Sequence, residues 1–117
     1  GGKLYKVIAA SRLFENDPYG VEVRGRYGEL IQVLKDKYGA GKEHKFTAEH
    51  YDGNNWGMGI KTSENWLFTN FETKDLSIQI SCRAQVSSDP FLVLVYEYKP
   101  GGVLEEQAQK EHEKGAL

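Results

Sequence analysis

The stretch Leu76-Ser-Ile-Gln-Ile-Ser-Cys-Arg-Ala84 alternates apolar and polar side chains at almost every step. In an extended chain the apolar members point to one side and the polar members to the other, which is typical of a β-strand with one buried face. The next run, Phe91-Leu-Val-Leu-Val-Tyr96, is apolar on both sides and predicts a central strand. Together these runs indicate that an antiparallel sheet organises the fold.

Working outward, further β-like runs occur on both sides of this pair. The second half of the chain predicts five strands separated by short polar turns: Phe46–Tyr51, Trp56–Thr62, Trp66–Thr73, Leu76–Ala84 and Phe91–Lys99. Near the start, Tyr5–Ala10 and Val21–Tyr27 have strand-like composition. The Asn16–Gly20 segment between them contains proline and glycine, so we expect it to join them as an antiparallel pair.

One helix interrupts the strands. Between Glu29 and Tyr38 the apolar residues recur at helical spacing, and Gly39 is suited to the end of that helix. After the stop signal Pro100-Gly-Gly102, residues 103–117 are rich in good helix formers and predict a short C-terminal helix. Such a helix is marginal unless it docks on the sheet or on a partner.

These elements predict an α+β fold in the order ββαβββββα. We expect a mostly antiparallel sheet of six to seven strands, with one long helix packed on a face and a short C-terminal helix. Residues 1–99 form a single α+β domain in this prediction, and residues 100–117 form a linker and a short helical tail.

Composition and charge exclude several classes of protein. The 117 residues carry 15 Lys and Arg against 17 Asp and Glu, a net charge of −2 that argues against nucleic-acid binding. No apolar run reaches the roughly 18 residues of a membrane span, which indicates a soluble domain. The single cysteine, Cys82, cannot form an internal disulfide, and its place on the apolar side of a strand predicts a core thiol. The only methionine is Met58, so we expect a processed or trimmed chain.

Residues that could carry chemistry are scattered along the chain. His44 and His50 lie about 20 Å apart if the chain between them is extended, too far to share a metal ion, and His112 is remote in sequence. We therefore predict no metal, no cofactor and no catalytic residues. The remaining enzyme hypothesis is a site near His50, with Glu49 and Asp52 as its acids.

Aromatic side chains are concentrated on the predicted hairpins. If some of these rings face outward, they form a rigid binding patch of the kind enriched at protein interfaces. The alternative is that they pack in the core beneath the C-terminal helix. The rings concerned are those of Trp56, Trp66, Phe68, Phe71, Tyr96 and Tyr98.

The layout from Arg24 to Lys99 resembles small exported bacterial domains of uncharacterised function, many of which are periplasmic or lipoprotein-like. The resemblance is carried by the helix end Leu34-Lys-Asp-Lys-Tyr-Gly39, by Trp66, by the alternating Leu76–Ala84 run and by Leu92-Val-Leu-Val-Tyr-Glu-Tyr98. It implies an α+β fold and favours a periplasmic or secreted location over a cytoplasmic one. It carries over no functional residue.

The sequence therefore predicts a non-catalytic protein-binding module, such as an inhibitor, an immunity-type protein or an envelope-associated protein. Its partner is expected to be another protein, and a homodimer is compatible with the sequence. The alternative is a small-ligand carrier with a pocket between helix and sheet, lined by Leu30, Leu34 and Tyr38.

Overall fold

The computed structural model describes residues 6–99. Within this range the chain forms five strands and two α-helices, and two short 3₁₀ turns at Glu49–Tyr51 and Gly53–Asn55 precede the second helix. The elements in chain order are β1 (Lys6–Ala10), α1 (Val21–Tyr38), β2 (Lys42–Phe46), α2 (Trp56–Thr62), β3 (Trp66–Glu72), β4 (Leu76–Arg83) and β5 (Phe91–Tyr98).

The strands form one antiparallel sheet in the order β1-β5-β4-β3-β2. The α+β class and the antiparallel sheet are confirmed, whereas the pairing predicted between the first two runs is wrong, because β1 pairs with β5. The prediction of six to seven strands in the order ββαβββββα is wrong, because the described residues contain five strands and an additional helix. The C-terminal helix predicted at 103–117 lies outside the described residues.

The last three strands lie close to where the alternation placed them. β3, β4 and β5 each begin at the predicted residue and end one residue before the predicted end. β5 lies between β1 and β4 and is therefore an interior strand, as predicted; its even-numbered side chains are buried and its odd-numbered ones, Phe91, Val93 and Val95, are partly exposed on the other face. The alternation of a half-buried strand was therefore a reliable signal in this part of the chain.

The prediction of a strand at Val21–Tyr27 is wrong, because these residues form the first turns of α1. Val23 and Tyr27 are one helical turn apart and both are buried, whereas Val21 is 69% exposed. The Asp17 carboxylate accepts hydrogen bonds from the backbone N–H groups of Glu22 (3.2 Å) and Val23 (2.9 Å). These donors have no partner inside the helix, so Asp17 stabilises its start.

Two further strand predictions are wrong in the middle of the chain. β2 ends at Phe46, where a strand was predicted to begin, and residues 56–62 form α2. α2 packs closely against its surroundings through glycine: a Cβ atom at Gly57 would lie 1.8 Å from the Ser87 carbonyl oxygen. This tertiary packing outweighs the low helix propensity of a glycine-containing segment.

A buried asparagine fixes the segment around α2. The Asn65 side chain accepts a hydrogen bond from the Ala48 N–H (2.7 Å) and donates to the carbonyl oxygens of Tyr51 (2.8 Å) and Trp56 (3.3 Å). Its amide thus satisfies backbone groups of an irregular segment that no strand pairs with. This arrangement holds α2 at one end of the sheet.

The core lies between α1 and one face of the sheet. Val23, Tyr27 and Leu34 of α1 pack in the same cluster as the buried side chains of the strands. The Tyr27 hydroxyl is hydrogen-bonded to the Thr69 hydroxyl of β3 inside this layer. Burial raises the pKa of Tyr27 to about 12. No helix within residues 6–99 combines the length and the apolar composition that crossing a membrane requires.

Candidate functional site

The side of the sheet opposite α1, here called the open face, has no helix packed along it within residues 6–99. Its side chains come from the alternate positions of each strand, and the cross-strand register sets them in rows. One such row runs from Ile8 through Val95 and Gln79 to Asn70. These rows line a shallow groove with a cavity volume of about 760 Å³.

An aromatic strip occupies the β2 and β3 side of the open face. It consists of two stacked cross-strand pairs, His44 with Phe68 and Phe46 with Trp66, and the ring centroids are 4.7 Å apart in each pair. Phe46 and Trp66 are 47% and 44% exposed. The rings are held by strand pairing and by each other, so the aromatic strip is apolar surface that is already ordered.

An apolar strip occupies the opposite side of the groove, on β1 and β5. It consists of Ile8, Phe91, Val93 and Val95, and Ile8 is the most exposed of them at 63%. Ile8 and Val95 are direct cross-strand partners, so their side chains are neighbours on one surface. The groove therefore has apolar surface on the side away from the aromatic strip.

Polar side chains separate the two strips. The Gln79 amide nitrogen donates a hydrogen bond to the Asn70 amide oxygen (3.0 Å) across β3 and β4. The Ser77 hydroxyl lies 2.8 Å from both carboxylate oxygens of Glu72, to which it donates. These groups are partnered within the sheet and remain accessible from the groove.

The charges differ between the two ends of the groove. At one end, here called the paired end, Lys6 pairs with Glu97 (3.9 Å) and Lys99 with Glu72 (2.9 Å). The hydrogen bond from Lys99, supported by the one from Ser77, lowers the pKa of the Glu72 carboxyl. The two carboxylates that line this end of the groove, Glu72 and Glu97, therefore each have a cation beside them.

At the other end, here called the basic end, the groove is lined by Arg83 from β4 and Lys61 from α2. The Arg83 guanidinium donates a hydrogen bond from Nε to the Ser81 hydroxyl (3.2 Å). Among residues 6–99, no carboxylate oxygen lies within 4.0 Å of either cation. The basic end thus carries two positive charges without a described carboxylate partner.

The six aromatic residues predicted to bind are divided between the two sides of the sheet. Trp66 and Phe68 lie on the open face, within the aromatic strip. Trp56, at 2% exposure, contacts Gly20 and the Arg24 guanidinium, which lies 4.5 Å above its ring. The others are buried in the core beneath α1: Phe71, Tyr96 and Tyr98.

The two-residue period of β-strands could have predicted, from the sequence, which of these strand aromatics are buried and which lie on the open face. Phe71 has the same parity as Leu67 in β3, and Tyr96 and Tyr98 have the same parity as Leu94 in β5. The residues that the prediction missed, Phe46 among them, depend on the register of β2 against β3. No pattern within β2 gives that register, because its own residues alternate little between apolar and polar.

The hypothetical enzyme site near His50 lies on the two 3₁₀ turns. His50 and Glu49 are exposed, and the His50 ring is 5.2 Å from that of Tyr51 in a tilted arrangement. The Asp52 carboxylate accepts a hydrogen bond from the Gly53 N–H (2.8 Å), so it serves the turn. Within residues 6–99, no three His, Cys, Asp or Glu side chains are grouped to hold a metal ion.

Cys82 lies on the covered face of β4, as the sequence predicted, and is buried. Burial raises the pKa of its thiol to about 12. Because the thiolate is the reactive form, a buried neutral thiol of this kind is chemically inert at neutral pH.

The layer between α1 and the sheet is where a small-ligand pocket was predicted. Leu34 is buried there, and Leu30 and Tyr38 pack against the core cluster. The groove of about 760 Å³ lies on the other side of the sheet. A ligand-carrier function stays a prediction. Among the described residues, space for a ligand is found in the groove and not between α1 and the sheet.

No protein-family model matches this chain, and neither a curated protein nor a solved structure is significantly similar to it. The resemblance to small exported bacterial domains therefore stays a prediction.

Proposed function

We propose that this chain is a non-catalytic protein-binding module and that it binds its partner through the open face of the sheet. The observation that carries the proposal is the stacked Phe46 and Trp66 pair, which leaves nearly half of each ring exposed on a paired strand. Aromatic residues of this kind are enriched at the centres of protein interfaces.

The exposed rings can contribute a useful part of a binding free energy. A large aromatic side chain buries 150 to 250 Å² when fully covered, so roughly 100 Å² per ring is left for a partner to cover. At about 25 cal/mol per Å² this contributes about 2 to 3 kcal/mol per ring. Because strand pairing and stacking already fix both rings, little side-chain entropy is lost on binding.

Exposed apolar residues also occur on α1. Val33 is exposed there, but a single apolar side chain is normal on a protein surface. The open face differs because it carries two groups of such side chains, the aromatic strip and the apolar strip. This concentration supports the open face over the outer surface of α1.

The more specific functions within the class of protein-binding modules stay predictions. An inhibitor, an immunity-type protein and an envelope-associated protein all bind a protein partner, and the open face suits each of them. A periplasmic or secreted location and a homodimer likewise stay predictions.

A display selection tests the proposal. A random-peptide library is selected against the immobilised full chain, and each binder is assayed on the double variant Phe46→Ala/Trp66→Ala. Because this variant removes both exposed rings, we expect binding to fall by tenfold or more. The matched control is Val33→Ala, which removes an exposed apolar side chain from α1 and should leave binding unchanged.

A selection that yields no binder would contradict the proposal. Binders that lose affinity with Val33→Ala and keep it with the double variant would also contradict it. The thermal unfolding midpoint of each variant is measured first, so that a loss of binding is assigned to the surface and not to unfolding.

A further inference from the structure

The groove on the open face has one end where the charges are matched and one end where they are not. Lys6 and Lys99 each have a carboxylate beside them, whereas Lys61 and Arg83 have none among residues 6–99. Among the cations that line the groove, only those of the basic end can therefore gain a new charge pair from a bound partner. Elsewhere along the groove it gains mainly apolar burial.

We propose that the partner presents an apolar segment carrying a carboxylate, with the carboxylate at the basic end beside Arg83 and Lys61. This proposal rests on the proposed function and specifies the chemistry of the partner. The apolar side chains of the segment cover the apolar strip, and its Asp or Glu side chain completes the charge balance of the groove.

The geometry of Arg83 supports a carboxylate as the recognised group. Its Nε–H is bound to the Ser81 hydroxyl, which helps to orient the guanidinium in the groove. The remaining guanidinium donors suit a carboxylate, which accepts hydrogen bonds through both oxygens. Lys61 adds a second positive charge from α2, so the site favours an anion over a neutral amide.

The paired end argues against an extended polyanion as the occupant. Glu72 and Glu97 line the groove there, and a phosphate backbone that ran along the groove would approach both carboxylates. Nucleic acid requires cations at several successive phosphates. The groove supplies unpaired cations at one end only, which favours a single acidic group within an apolar segment.

The length of the groove sets the size of the segment. β5 runs from Phe91, beside Arg83 in the register, to Glu97, beside Lys6. At about 3.3 Å per residue, an extended peptide of roughly seven to eight residues covers this distance. A carboxylate near one end of such a peptide reaches the basic end while its apolar residues lie along β5.

Charge reversal in the groove tests the proposal. Peptides from the selection that bind the open face are sequenced and then assayed on Arg83→Glu and Lys61→Glu. We expect enrichment of Asp or Glu near one end, and affinity about tenfold weaker for each variant. The matched control is Lys35→Glu, which makes the same change in net charge on an exposed position of α1 and should leave affinity unchanged.

Two further measurements separate this proposal from its alternatives. Raising the salt concentration from 50 mM to 500 mM should weaken peptide binding to the parent chain, and it should have little effect on the residual binding to Arg83→Glu. Replacing the acidic residue of the peptide by Gln or Asn should reproduce the loss caused by Arg83→Glu. The two changes together should be less than additive, because they remove the same pair.

Specific results would overturn the proposal. Open-face binders without acidic residues, unaffected by Arg83→Glu and Lys61→Glu, would leave the binding module intact and contradict the acidic partner. A selection that yields no peptide dependent on Phe46 and Trp66 would contradict the proposed function itself.

Discussion

The two faces of the sheet are built from the same strands but differ in how far their side chains are covered. On the covered face, α1 and the strands bury aromatic and aliphatic side chains in one cluster, and Phe71 retains 1% exposure. On the open face, Phe46 and Trp66 stack on each other and remain nearly half exposed. The difference between them shows that composition does not distinguish buried from exposed aromatic side chains here, whereas strand parity and register do.

The largest expected effect comes from neighbouring phenylalanines of β3 that lie on opposite faces. Phe71→Ala should lower the free energy of unfolding by about 3 to 5 kcal/mol, because it leaves a cavity beneath α1. Phe68→Ala removes a half-buried ring stacked on His44 and should lower it by about 1 kcal/mol. Urea denaturation of both variants measures the difference, and equal losses would contradict the assignment of the two faces.

The pH dependence of the free energy of unfolding should report the contribution of the buried Cys82 thiol on the covered face. Burial raises the pKa of Cys82 from its ordinary 9.0 to about 12. Below pH 9 the thiol is protonated in both states, and between pH 9 and 12 the unfolded chain releases the proton first. The free energy of unfolding should therefore fall as the pH rises, by about 2 to 3 kcal/mol from this thiol between pH 8 and pH 11.

Cys82→Ala isolates this contribution. The cavity that it creates is the same at both pH values, so its effect cancels when the change from pH 8 to pH 11 is compared between the variant and the parent chain. We expect a smaller pH-dependent loss in the variant. An identical loss in both chains would show that Cys82 ionises equally in the folded and unfolded states.

A pair of glycine substitutions tests the packing that holds α2 beside the groove. Gly57→Ala places a Cβ atom against the Ser87 carbonyl oxygen and should lower the free energy of unfolding by about 2 kcal/mol. The control is Gly25→Ala in α1, where no atom outside the local helix lies within 4 Å of the new Cβ atom. That change should raise stability by about 0.5 to 1 kcal/mol. Chemical denaturation reports both, and a stable Gly57→Ala chain would contradict the close approach.

The smallest effect on stability is expected for the rings proposed to bind. Trp66→Ala should change the free energy of unfolding by about 1 kcal/mol or less, because its loss is limited to a stacked pair on the surface. The same change should weaken peptide binding by tenfold or more. A variant that loses stability and keeps binding would place Trp66 in the core and not at an interface.

The sequence predicted secondary structure best where a pattern of residues was compatible with only one type of element. The strict alternation from Leu76 gave β4, and Gly39 marked the end of α1. The first turns of α1 were misassigned because alternation over seven residues also places Val23 and Tyr27 on one helical face. α2 was misassigned because Gly57 packs against Ser87 and Gly59 against Asn65, and local propensity contains no information about these tertiary contacts.

The candidate site was predictable to a smaller extent. Trp66 and Phe68 were among the predicted binding residues and lie on the open face. Phe46 joins them only because β2 pairs with β3 in a particular register, and Arg83 lines the groove together with Lys61 only because α2 lies beside the sheet. These are long-range contacts, so local periodicity carried no information about them.

The claim that the open face binds a partner is tested most directly by mapping a bound peptide on the ¹⁵N-labelled chain. A peptide from the selection is titrated while backbone amide chemical shifts are followed across the described strands and helices. We expect saturable shifts concentrated at Phe46, Trp66, Val93 and Arg83, with α1 unaffected around Val33. Shifts concentrated on α1, with the amides of β3 and β5 unchanged, would contradict it.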